Sequence, residues 1–216
     1  MLTRILPHTI SSPSWRTSSL FLLGADRDVV TSLALQAAVT CASEREYVAL
    51  LGNRDVKKFY PVHGMPRYED RMVDFIRPRY FASTDSLYDY LVHFHMMPIY
   101  PEVIVFLGLE EFMRMSSESP TGDQEIIRLL ALFEDAAHFA SKKNGHPCKL
   151  LVQYVGNKGE PGSWLHQFAS LRATRLWCES QQQDRFTLRG YTSTYGMLCK
   201  EGNVLRLLQG QPPAAT

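Results

Sequence analysis

Three short stretches of this chain are apolar without a break: Leu20-Phe21-Leu22-Leu23, Tyr47-Val48-Ala49-Leu50-Leu51 and Val103-Ile104-Val105-Phe106-Leu107. A strand with one wet face alternates polar and apolar residues, whereas a strand covered on both faces does not. Runs of this length predict buried strands in a mostly parallel sheet, and residues 150–155 read as another. Helical patterns lie between them. Asp26 or Asp28 is placed to cap a helix carrying Val29, Val30, Leu33, Ala34, Ala37 and Ala38 at three- and four-residue spacing. Ser83 or Thr84 opens a second helix through about residue 95, with Leu87, Tyr90, Leu91 and Phe94 on one face. The clearest helix is predicted over 123–143, with the stripe Ile126, Ile127, Leu129, Leu130, Phe133, Ala137 and Ala140, ended by Gly145.

Other stretches read less regularly. Residues 53–71 are irregular, and 75–80 form a short strand broken at Pro78. Residues 116–122 and 156–162 are loops, with a short helix over 163–171. The last third changes character: 174–178, 186–191 and 204–208 read as strands of an antiparallel ending. Strand–helix alternation of this kind specifies an α/β domain with helices on both sheet faces. With 216 residues, we expect one domain over 19–210, a flexible leader over 1–18 and a loose tail over 211–216.

Composition removes several function classes. Hydrophobic residues are 45% and charged residues 21%, which excludes a largely disordered chain. No apolar run approaches the roughly 18 residues of a membrane span. The net charge of +1 gives no global pull toward nucleic acid. Cys41, Cys148, Cys178 and Cys199 form no CxxC pair, so no zinc site is expected and the pattern suits a reduced, intracellular protein. Residues 1–25 hold Arg4 and Arg16 but no acid. That composition suits either a short leader or a mitochondrial transit peptide.

The turn after the first strand is where an α/β domain would carry a phosphate loop. G-x-x-x-x-G-K-[ST] supplies glycines for the anion nest, a lysine for the phosphates and a hydroxyl for magnesium. Here the string is Gly24-Ala25-Asp26-Arg27-Asp28-Val29-Val30-Thr31. Gly24 and Thr31 keep the spacing, but Val29 replaces the second glycine and Val30 the lysine. Asp26 and Asp28 would repel a triphosphate, although Arg27 could approach one. The plain alternative is a strand–helix corner in which Thr31 bonds back to a carbonyl. A second nucleotide motif ends an apolar strand in aspartate. The candidate strand is 103–106, and Leu107 stands at the aspartate position. Glu110 and Glu111 follow and could act on a metal, or simply open an exposed segment.

Residues 103–112 (Val-Ile-Val-Phe-Leu-Gly-Leu-Glu-Glu-Phe) and 129–140 (Leu-Leu-Ala-Leu-Phe-Glu-Asp-Ala-Ala-His-Phe-Ala) resemble the SWIM-domain-associated RecA-like proteins of the metazoan Shu complex. Residues 76–80 and 83–91 look like that family's strand–helix unit, and 150–155 like the strand before its second DNA-facing loop. The resemblance spans roughly 19–210. It implies a RecA-like, P-loop-type core related to recombinase paralogues, with degenerate nucleotide motifs in this chain. Family members that keep the phosphate loop and the strand-end aspartate are ATPases. The departures at Val29, Val30 and Leu107 mean that this activity is not carried over.

The resemblance therefore implies a non-catalytic subunit without a cofactor. It would pair with a SWIM-domain zinc-binding protein, bind single-stranded DNA and help a RecA-family recombinase filament assemble in homologous recombination, in the nucleus and in meiosis. The alternative is an atypical P-loop ATPase or small-molecule kinase in which Arg27 and Glu110 take over the lost roles.

Local charge suggests where DNA would bind. Residues 142–189 hold eight basic and three acidic residues, and 53–79 hold seven and four; 102–135 hold two basic against eight acidic. The candidate contacts are Lys57, Lys58, Phe59, Tyr60, Arg77, Arg79, Lys158, Arg172 and Arg175. Lys57 to Tyr60 interleave cations with rings, the mixture that single-strand binders use. In a RecA-like fold the loop of Lys158 would face DNA. Each residue taken alone is equally well read as a solvated loop cation or a core-facing ring. His93 and His95, two apart, point to different faces and share no metal. His138 reads as packed or solvated, and Trp15, Trp164 and Trp177 as core or interface anchors.

Overall fold

The computed structural model describes residues 19–53, 56, 59–116, 122–156, 173–182, 184–190 and 194–208. Its strands are β1 (Ser19–Gly24), β2 (Val48–Gly52), β3 (Ile76–Tyr80), β4 (Val103–Phe106), β5 (Lys149–Val155), β6 (Ala173–Gln182), β7 (Arg185–Arg189), β8 (Thr194–Glu201) and β9 (Val204–Leu208). They join one sheet in the order β3-β2-β4-β5-β1-β6-β7-β8-β9. The first six run parallel and the last three antiparallel.

The apolar runs exist because alternate residues face two separate cores. On one face, Leu20, Leu22, Val48, Leu50, Val103, Val105, Leu151 and Leu176 pack under helix α1 (Arg27–Ser43). On the other, Phe21, Leu23, Ala49, Leu51, Ile104, Phe106, Leu150 and Val152 pack under α2 (Thr84–Val92), α3 (Leu109–Ser116) and α4 (Gly122–Asn144). The antiparallel strands contribute Phe186, Leu188, Leu198 and Leu205 to the α1 side. β7 accordingly alternates polar and apolar residues, the pattern of a strand with one apolar face.

Three elements differ from the sequence expectation. β3 runs through Pro78, because β3 is the sheet edge and pairs only with β2. A proline is tolerated where its missing N–H faces outward. α3 was not expected; it is short and begins with two acids, and its apolar anchors Leu109 and Phe112 are few. β8 was not read as a strand because Leu198 is the one described residue that it buries. The short helix expected over 163–171, the leader and the tail lie outside the described residues. No helix among the described residues is long and apolar enough to cross a membrane.

α1 is buried on two sides. Its sheet side carries Val30, Leu33, Ala34, Ala37 and Cys41. Its outer side is crossed by the segment linking β2 to β3, and there Ser32, Gln36 and Thr40 are buried at four-residue spacing. Two of these polar side chains, Ser32 and Gln36, satisfy the crossing backbone. Ser32 Oγ accepts from the Tyr60 amide at 2.9 Å and donates to the Asp28 carbonyl at 2.6 Å. Gln36 Oε1 accepts from the Val62 amide at 3.0 Å, and its Nε2 donates to the Pro66 carbonyl at 2.9 Å. Thr40 Oγ1 donates to the Gln36 carbonyl.

The far side of the same segment reaches β9. Val62 forms a parallel bridge with Leu205, the His63 amide donates to the Leu205 carbonyl, and the Leu205 amide donates to Pro61. Gln36→Ala strands a buried donor and a buried acceptor, and is expected to cost about 2–4 kcal/mol. Urea unfolding measures this, with half-exposed Thr31→Ala as a control expected to stay within about 0.5 kcal/mol.

Candidate functional site

The C-terminal ends of β1, β4 and β5 are where open α/β sheets hold ligands. At this edge β1 enters α1 through Ala25 and Asp26 alone. The Asp26 carboxylate accepts the Val29 amide at 3.0 Å, and its carbonyl accepts the Val30 amide. The helix thus starts at Arg27, ahead of the positions where a phosphate loop would still be open. Gly24 has a packing reason: a Cβ there would meet the Cys178 carbonyl and Val30 Cγ2, each at 2.7 Å.

Val29, Val30 and Leu107 are all buried and belong to one apolar cluster. The hydroxyl that bonds back along α1 belongs to Ser32; Thr31 is half-exposed beside it. Glu110 does not open an exposed segment: it is buried at the start of α3. Glu110 Oε2 accepts the Val155 amide at 3.0 Å. Arg27 Nη2 lies 3.2 Å from Glu110 Oε1 and 2.7 Å from Glu111 Oε1. Arg114 meets the other Glu111 oxygen at 2.7 Å. Burial pushes the Glu110 carboxyl above its ordinary value, while the Val155 amide and Arg27 pull it back. Beside them Gly108, in the left-handed region at φ 79°, donates its amide to buried Gln153 Oε1 at 2.6 Å.

These residues do not fit a bound triphosphate. The Asp26 carboxylate occupies the Val29 amide, the lysine position is hydrocarbon, and Arg27 is already paired with two glutamates.

Strand order and corner can now be set against known proteins. The chain is similar to the mouse ATPase SWSAP1. The two are 32% identical over 136 residues, which is 62% of this chain and 48% of that protein. The chain thus spans about half the length of the curated relative it matches. No family model matches it. The likeness to SWSAP1 bears out the resemblance read from the sequence. The sheet, parallel at its centre and antiparallel at its end, is the RecA-like fold which that resemblance implied.

The DNA candidates are dispersed. Arg77 and Arg79 are exposed on β3, where Arg77 Nε donates to the Tyr47 hydroxyl at 3.2 Å. Half-buried Arg175 sits in β6, five strands away, roughly 24 Å at ordinary strand spacing. Tyr60 is buried, with Lys200 Nζ 4.5 Å above its ring. Phe59 is partly buried against the small cluster of Val39, Ala42 and Met72. Lys57, Lys58, Lys158 and Arg172 lie outside the described residues. Sequence reasoning did not single out Gln153, whose only signal was a polar residue inside an apolar strand.

Restoring the motif by Val29→Gly with Val30→Lys is expected to bury an unpaired ammonium. It should cost about 4 kcal/mol or more and confer no ATP binding. Urea melts and ATP titration check both. Glu110 supplies a pH test. Its raised folded-state value means that its contribution is present below the ordinary carboxylate range and lost as pH rises through the folded value. Wild-type stability relative to Glu110→Gln should therefore fall as pH rises above the ordinary carboxylate range. Parallel stability curves would contradict this.

Proposed function

We propose that this protein is a non-catalytic RecA-like accessory subunit of homologous recombination. It pairs with a SWIM-domain zinc-binding protein, binds single-stranded DNA, and supports assembly of a RecA-family recombinase filament in the nucleus, including in meiosis. The similarity to SWSAP1 carries this reading. The hydrocarbon at Val29, Val30 and Leu107 supports the non-catalytic part of it. The mechanism is binding: a partner that takes only the folded chain stabilises it by mass action.

Co-expression with the SWIM-domain protein of the same organism, followed by size-exclusion chromatography, tests the pairing. A stoichiometric complex is expected; a soluble lone chain that ignores the partner overturns it. In that complex, Lys57→Ala/Lys58→Ala/Lys158→Ala should weaken single-stranded DNA binding and lower its salt slope by about 2. An unchanged slope removes these lysines from the site. The relative's name favours a second reading, an atypical P-loop ATPase in which Arg27 and Glu110 replace the lost groups. Tight magnesium-dependent ATP binding would select it.

A further inference from the structure

A groove of about 660 Å³ opens between the crossing segment and the β8–β9 turn. Phe59, Pro61, Arg67, Tyr68, Asn203 and Val204 line it, and buried Tyr60 closes one wall. Its volume is ordinary for a site holding a small organic group. The walls are held from two directions. Ser32 and Gln36 fix the backbone of Tyr60, Val62 and Pro66 from inside, and Leu205 fixes Pro61 and His63 from β9.

The lining has the chemistry of a stacking platform. Tyr68 is 49% exposed although it is a large ring. Arg67 beside it is exposed, as is Asn203 on the turn. Phe59 is partly buried against the cluster of Val39, Ala42 and Met72. Rings give π-faces for bases, the guanidinium suits a phosphate, and the carboxamide suits a base edge. Charge favours a polyanion over a proline-rich peptide, which also seeks aromatic grooves. Residues 53–79 carry seven basic and four acidic residues, and the groove lining contains a cation and no acid.

We propose that this groove is a stacking site for unpaired bases of single-stranded nucleic acid, with Tyr68 and Phe59 as platforms and Arg67 on the backbone. The inference rests on the single-strand-binding reading above and gives it a defined surface.

The test uses the purified complex with its SWIM-domain partner and a fluorescein-labelled oligothymidylate, read by anisotropy over a salt series. Tyr68→Ala is expected to weaken binding about tenfold to a hundredfold, with Tyr68→Phe close to wild type. Arg67→Ala should weaken binding and reduce the salt slope by about 0.7. Both side chains are exposed, so thermal melts should be unchanged. Photo-crosslinking of an iodouracil oligonucleotide should map to Tyr68 or Phe59. If wild type binds while Tyr68→Ala and Arg67→Ala bind equally well, or crosslinks fall only elsewhere, the groove is wrong and the binding reading stands. If wild type does not bind the oligonucleotide, both fall.

Discussion

The double burial of α1 is the constraint on which the rest depends. One side of this helix covers six parallel strands and part of the antiparallel ending, and the other is crossed by chain. A crossing backbone brings amides and carbonyls into an enclosed space, where each needs a partner. Ser32 and Gln36 meet that need at successive turns of one helical flank, and Thr40 supports Gln36 from the next turn. An apolar residue at Ser32 or Gln36 would fill the volume but abandon main-chain groups. The crossing segment, so held, is delivered to β9, and sheet and helix close around one core.

The strand-end corner follows the opposite rule. Val29, Val30 and Leu107 stand where a nucleotide-binding protein of this class needs open backbone, an ammonium and a carboxylate. All three are hydrocarbon and lie in one cluster. What polarity remains is mutually neutralised, because Arg27 serves Glu110 and Glu111 while Asp26 serves α1. A charge placed among these groups would lose its hydration with nothing to replace it. The corner therefore joins α1 to α3 as a packed seam.

The sequence made the central strands legible because burial on both faces leaves a pattern that survives without tertiary knowledge. It made α4 legible because one stripe of a long helix repeats several times. Pro78 misled because edge position, which excuses a proline, is a property of the sheet. β8 buries Leu198 and offers little alternation to read. The corner was half legible: spacing located it and the valines marked its loss, yet the burial of Glu110 and its bond to Val155 depend on α3 and β5 meeting. Ser32 and Gln36 looked like ordinary polar helix residues. Tyr68 and Arg67 lay in a stretch read as irregular and basic but were not singled out, since a groove built by residues far apart in the chain has no local signature.

The bridge between Val62 and Leu205 has a consequence for synthesis. Pro61–His63 leave the ribosome well before Leu205, the residue that pairs with them. Until then α1 satisfies the inner side of the crossing segment, while its outer amide and carbonyl groups face water. That is the condition of an unpaired edge, which invites pairing with foreign strands. Closing so distant a contact is also slow, because loop entropy is lost before the contact forms. The nascent chain thus carries this unpaired backbone until β9 is made, and a chain ended before β9 carries it permanently.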